Sequence, residues 1–139
     1  MLQPYITFQG NALEAINYYE KVLKGTNKEV SLWGNMGKQT GMPISEKMAD
    51  KVLYGKLTVC GVDINFSDTD PNFHEPQVFA PSCFISLAIR FKSQDELRVA
   101  YDELLTDGTV LMEIGEQFFA KLYAWVQDKY GVTWQLICD

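Results

Sequence analysis

Phe119, Lys121, Tyr123 and Trp125 occupy every second position, so a strand over residues 118–127 turns all four to one face and smaller or aliphatic side chains to the other. Aromatic rings beside an ammonium group suit a small planar or acidic organic molecule, held by stacking and by charge. Trp33, Tyr54 and Arg90 are further candidates for the walls of such a pocket, and period-two alternation puts Lys56 and Thr58 on the face of Tyr54. The same stripe equally suits a surface that packs against a helix or a second subunit.

Other chemistry has fewer residues to work with. His74 is the single histidine, so neither a Ser-His-Asp nor a Cys-His pairing can form without it. It sits in Asp68-Thr69-Asp70-Pro71-Asn72-Phe73-His74-Glu75-Pro76, whose prolines read as a loop; the spacing fails a calcium loop because position 12 is Phe79. Cys60, Cys83 and Cys138 are odd in number, form no CxxC and have apolar neighbours, which reads as buried, inert, reduced thiols. Gly34-Asn35-Met36-Gly37-Lys38 lacks the length and the strand-to-helix setting of a phosphate loop.

A chain of 139 residues with 47% hydrophobic and 22% charged content is one domain with a sizeable core and is too apolar for disorder. No apolar run approaches the roughly 20 residues of a membrane span. The opening Met1-Leu2-Gln3-Pro4-Tyr5 does not read as a secretory leader, so a cytoplasmic protein is expected. The net charge of −6 repels phosphate backbones and disfavours nucleic acid. All of that charge lies after residue 68, since residues 1–68 balance seven lysines against seven carboxylates.

Two passes of the same element order position these residues. Residues 5–8 form a short strand, Asn11 and Glu14 resemble a capping box, and Ala15, Ile16, Tyr19, Val22 and Leu23 recur at helical spacing until Gly25 caps the end. Strands are predicted at residues 30–33, 52–59 and 62–67, with a polar connection over 34–50 and a hairpin turn at Cys60-Gly61. A strand at 83–89, a helix opened by Ser93-Gln94-Asp95-Glu96, and strands at 109–112, 118–127 and 132–138 then repeat the order. An offset of 82 relates Asn11 to Ser93, Glu14 to Glu96, Tyr19 to Tyr101 and Leu23 to Leu105. An offset of 70 relates Gly61 to Gly131, Val62 to Val132 and Asn65 to Gln135. The expected fold is α+β: two tandem βαβββ modules, about 1–68 and 82–139 of a single domain, forming a paired, curved mixed sheet around a cleft with helices outside.

Pro4-Tyr5-Ile6-Thr7-Phe8, Gly10-Asn11-Ala12, Ala15, Tyr19-Glu20-Lys21-Val22-Leu23, Lys51-Val52-Leu53-Tyr54 and Trp125-Val126-x-Asp128-x-x-Gly131-Val132-x-Trp134 resemble the PhnB-like branch of the vicinal oxygen chelate superfamily. Glyoxalase, bleomycin-resistance and extradiol dioxygenase proteins belong to that superfamily. The resemblance covers nearly the whole chain and implies the paired βαβββ fold and a homodimer; it does not imply one chemistry. Enzymes of the superfamily hold a divalent metal with His, Gln and Glu from four repeat-related strand positions, which map here near Pro4, Asn65, Ser86 and Gln135. None of these is a carboxylate or an imidazole, so no metal and no other cofactor is expected. Relatives commonly carry a His and a small residue where this chain has Tyr54-Gly55; a phenol is a poor base at neutral pH but donates a hydrogen bond. Relatives also place an aromatic residue at the Phe119 position, lining the cleft.

These readings converge on a small organic ligand bound in the cleft without metal, contacted by Trp33, Tyr54, Lys56, Asn65, Ser86, Phe119, Lys121, Tyr123, Trp125 and Gln135. No catalytic residue is assigned, and no nucleic-acid or membrane partner is expected. The alternative is a metal-dependent lyase or isomerase of glyoxalase type. A methyltransferase acting on a demethylated quinone ranks lower, because no glycine-rich cofactor loop follows a strand.

Overall fold

A computed structural model describes residues 1–70 and 82–139. His74, with the rest of residues 71–81, lies outside the described residues. The chain divides into two compact units, Met1–Phe79 and Ala80–Asp139, with the boundary inside the undescribed segment.

In the first unit β1 (Tyr5–Phe8), α1 (Ala12–Val22) and β2 (Thr26–Leu32) are followed by two short helices, α2 (Trp33–Thr40) and α3 (Glu46–Ala49), and then β3 (Val52–Val59) and β4 (Val62–Asp68). The sheet order is β1-β4-β3-β2, with β1 parallel to β4 and the other pairs antiparallel. The second unit holds β5 (Leu87–Arg90), α4 (Gln94–Leu104), β6 (Thr109–Gln117), β7 (Ala120–Gln127) and β8 (Thr133–Cys138). Its order, β5-β8-β7-β6, again has one parallel pair, β5 with β8. The βαβββ repeat read from the sequence is therefore present twice, in an α+β architecture.

Each module buries one sheet face under its long helix. The helical spacing of α1 turns Ala12, Ala15, Ile16, Tyr19 and Val22 inward, where Tyr19 stacks on Phe66 of β4 with ring centroids 6.1 Å apart. In α4 the buried stripe is Leu97, Ala100, Tyr101 and Leu104. Alternation along the strands leaves the opposite faces to Tyr54, Lys56 and Asn65 in one module and to Tyr123, Trp125 and Gln135 in the other.

Local differences from the sequence reading have physical causes. Ser93 caps α4 as expected, accepting from Glu96 N at 3.2 Å, but Asn11 makes no side-chain cap. The Asp68 carboxylate does that work from the end of β4, accepting from Gly10 N at 2.8 Å and Ala12 N at 3.0 Å. Gly25 is not the left-handed cap; Lys24 adopts φ 54, and Gly25 is required because a Cβ there would lie 2.7 Å from the Leu57 side chain. Residues 34–50 form α2 and α3 instead of a plain connection, and the strand expected at 83–89 forms only over Leu87–Arg90. The Cys60-Gly61 hairpin holds, with φ 51 and φ 80 at the two turn residues, the signs of a type I′ turn. The expectation of buried thiols is corrected there: Cys60 is exposed at the turn and Cys83 is half-buried, while Cys138 is buried.

Candidate functional site

In the first module Lys56 lies directly opposite Asn65 in the β3–β4 register, and Tyr54 reaches Asn65 diagonally. Asn65 Oδ1 accepts two hydrogen bonds, from the Tyr54 hydroxyl and from Gln3 Nε2, both at 3.3 Å. Lys56 Nζ sits 2.8 Å from Glu29 Oε1 across β2 and β3. The hydrogen bond to Glu29 raises the Lys56 pKa above its ordinary value, so Lys56 is a committed cation and not a base at neutral pH. Trp33 opens α2 instead of closing a strand, and its indole N–H donates to Asp68 O at 3.1 Å. That contact is three residues along β4 from Asn65, about 10 Å at the rise of a strand, so Trp33 does not join the Tyr54–Asn65 pair.

The second module repeats the device. Trp125 lies opposite Gln135, and the Tyr123 hydroxyl donates diagonally to Gln135 Oε1 at 2.9 Å, the same step that Tyr54 takes to Asn65. The Trp125 indole N–H donates to Ser86 Oγ at 3.0 Å. Phe119 was expected within β7 but falls in the turn before it, where it packs edge-on to Phe118 and to Tyr123 at centroid distances of 5.1 and 5.0 Å. Residues 116–121 and Asp139 surround an open pocket of about 290 Å³, which brings Phe119 and Lys121 together. Lys121 is exposed and has no hydrogen-bond or ionic partner among the described residues. Arg90, the other cation considered, is taken by Asp139 at 3.0 Å.

Burial pushes the Tyr123 phenol above its ordinary pKa, and burial together with Glu113 does the same to Tyr101. Phenols raised in the folded state favour folding in full below their unfolded pKa of about 10, and that contribution is lost as pH rises through the folded values. The thermal unfolding midpoint should therefore hold between pH 8 and about 10 and fall above it. Melts of the Tyr123→Phe variant across this range should show a shallower alkaline fall; an equal fall would assign the effect to other groups.

The strand registers revise the mapping of the four positions at which the resemblance implies metal ligands. Tyr5 pairs with Asn65 and Ala88 with Gln135, so the first strands of the modules are related by 83 and not by the 82 that holds for the helices. Ser86 is then the counterpart of Gln3, whose side chain reaches Asn65, and the alternation of β1 carries Pro4 to the helix side. The donor set is Gln3, Asn65, Ser86 and Gln135: three neutral amides and a hydroxyl, all engaged in hydrogen bonds within their own module. These groups do not fit a divalent metal of the kind that His and Glu hold. Among the described residues no cluster of three His, Cys, Asp or Glu side chains could hold one elsewhere. Gln3 escaped the sequence reading through the one-residue offset error; its alternation with Tyr5 and Thr7 was the signal available. Among the described residues, no helix is long and apolar enough to cross a membrane.

Residues 1–137 match the protein family described as 3-demethylubiquinone-9 3-methyltransferase. The chain is 27% identical to Protein YjdN of Escherichia coli (strain K12), over 97% of this chain and 92% of that protein. A PhnB protein from Bacillus cereus superposes with a TM-score of 0.77 at 25% identity, covering 99% of this chain and 98% of that one. A glyoxylase/bleomycin resistance protein/dioxygenase domain from Frankia sp. EAN1pec shares the fold, with a TM-score of 0.66 at 13% identity over 99% and 95% of the two chains. The match over residues 1–137 places the chain in the family described as 3-demethylubiquinone-9 3-methyltransferase; it is similar to a PhnB protein, and its repeated βαβββ fold is that of a glyoxylase/bleomycin resistance protein/dioxygenase domain.

Proposed function

We propose that this protein binds a small organic ligand on the polar and aromatic sheet faces of its modules, without the divalent metal of the superfamily's enzymes. The observation that carries this reading is the donor set Gln3, Asn65, Ser86 and Gln135, which pairs internally and lacks any carboxylate or imidazole. The residues suited to hold the ligand are Tyr54 and Asn65 in one module, and Ser86, Phe119, Lys121, Tyr123, Trp125 and Gln135 in the other. Lys56 is tied to Glu29 and supplies charge at the margin. The exposed Phe118 and Phe119 support a homodimer as the working assembly, because apolar side chains left in water favour association.

Elemental analysis of protein purified without chelator tests the reading. The expected result is no stoichiometric transition metal. One equivalent of Ni, Zn, Fe or Mn would overturn it and restore the glyoxalase-type lyase or isomerase. Saturable binding of a sulfonium methyl donor would instead favour the activity in the family's description.

A further inference from the structure

We propose that the tyrosine–amide pair Tyr123–Gln135 sets the polarity of the second module's face, so that the ligand there presents an acceptor oxygen, as the carboxylate of a small planar acid does. This rests on the binding reading above. A glutamine amide has one acceptor oxygen and one N–H₂ group on the same planar carbon, so fixing the oxygen fixes the nitrogen. Gln135 Oε1 takes the Tyr123 hydroxyl hydrogen at 2.9 Å. Tyr123 is only 5% exposed and is packed with Ala120 and Ile137, so the donor cannot swing away. Its raised pKa keeps the phenol protonated, hence a donor, throughout the neutral range. Gln135 Nε2 has no acceptor among the described residues, and the side chain is half-buried, which leaves its two hydrogens for a ligand.

The neighbours have the same sense. Ser86 Oγ accepts from the Trp125 indole, which leaves the serine hydroxyl hydrogen to donate. Lys121, on the same face of β7 by alternation, adds an ammonium that has no partner among the described residues. Asp139, one residue beyond the last β7–β8 pair of Leu122 with Cys138, is paired with Arg90. Glu116, on the hairpin, is the remaining carboxylate lining the nearby pocket. The first module repeats the polarity independently: Asn65 Oδ1 is used twice, by Tyr54 and Gln3, and Asn65 Nδ2 has no acceptor among the described residues.

The test is an NMR titration of the full chain with benzoate, benzylammonium and zinc, read at the Gln135 side-chain amide and the Trp125 indole. Benzoate should shift both signals saturably, with benzylammonium and zinc shifting neither. Gln135→Glu, which replaces the donor by a negative charge, should weaken benzoate binding roughly tenfold or more. Tyr123→Phe, which frees the amide to turn, should weaken it by roughly threefold to tenfold while the fold's backbone signals persist. Shifts with benzylammonium or zinc and none with benzoate would overturn the polarity while leaving a binding face. Silence from all three probes would overturn the binding reading and this inference with it. Undiminished benzoate binding by Gln135→Glu would overturn the inference alone.

Discussion

Asp68→Ala is expected to lower the thermal unfolding midpoint by roughly 10 °C, equivalent to about 3 to 4 kcal/mol at this chain length. Asp68 is 2% exposed, and its carboxylate collects three backbone amides from separate parts of the first module. Oδ1 accepts from Gly10 and Ala12 at the start of α1, and Oδ2 accepts from Val52 at the start of β3 at 2.9 Å. Its own carbonyl holds the Trp33 indole. Alanine removes the acceptor and strands these N–H groups away from water, the costly half of losing a hydrogen bond. Asp68→Asn keeps one oxygen but turns an N–H₂ group toward the Val52 amide, so it should cost less, about 2 kcal/mol. Thermal melts of the two variants check the order. An alanine variant within 2 °C of the parent would show that water replaces the carboxylate and that the first module does not depend on it.

The fold was legible because its signals are local. Alternation in residues 52–59 and 120–127 and helical spacing after Asn11 and Ser93 each depend on a few neighbouring residues, and the repeat doubled every one of them. The same alternation placed Tyr54, Tyr123, Trp125 and Gln135 on their faces. What escaped depends on register and distance. The partner of Lys56 is set by the irregular β2–β3 pairing, which shifts between Thr26 and Glu29. Trp33 opens a helix and does not close a strand because β2 ends at Leu32 and the chain turns at once into α2. The helix offset of 82 points to Pro4 as a ligand position, whereas the first strands are related by 83, which points to Gln3. Asp68 could not be seen as a helix cap, since the amide it caps lies 56 positions away.

In the second module an anchor of the same kind, at a different place in the repeat, is Asp128, and Asp128→Ala should cost about 3 to 5 kcal/mol. Asp128 Oδ1 accepts from Tyr130 N at 2.9 Å and Val132 N at 3.1 Å, and Oδ2 accepts from the Trp134 indole at 2.8 Å. Gly131 takes φ 85 inside this turn, so the run Asp128, Gly131, Val132 and Trp134 that carried the family resemblance is a turn-closing device. Asp128 and Trp134 are 3% and 1% exposed, so alanine at 128 leaves an indole N–H in the core without that acceptor. Trp134→Phe removes the N–H itself and should cost about 1 to 2 kcal/mol through lost area and the lost hydrogen bond to Asp128 Oδ2. The double variant should then be milder than the sum of the singles by about 1 kcal/mol or more, because each single variant already loses the shared Asp128–Trp134 hydrogen bond. This turn also sets the β7–β8 register that puts Trp125 opposite Gln135, so Asp128→Ala should displace the Gln135 side-chain amide signal in protein that is still folded. Additive single effects would mean that the indole bond is energetically idle. An unmoved Gln135 signal would mean that the register, and with it the orientation of the Tyr123–Gln135 pair, is held by the strands alone.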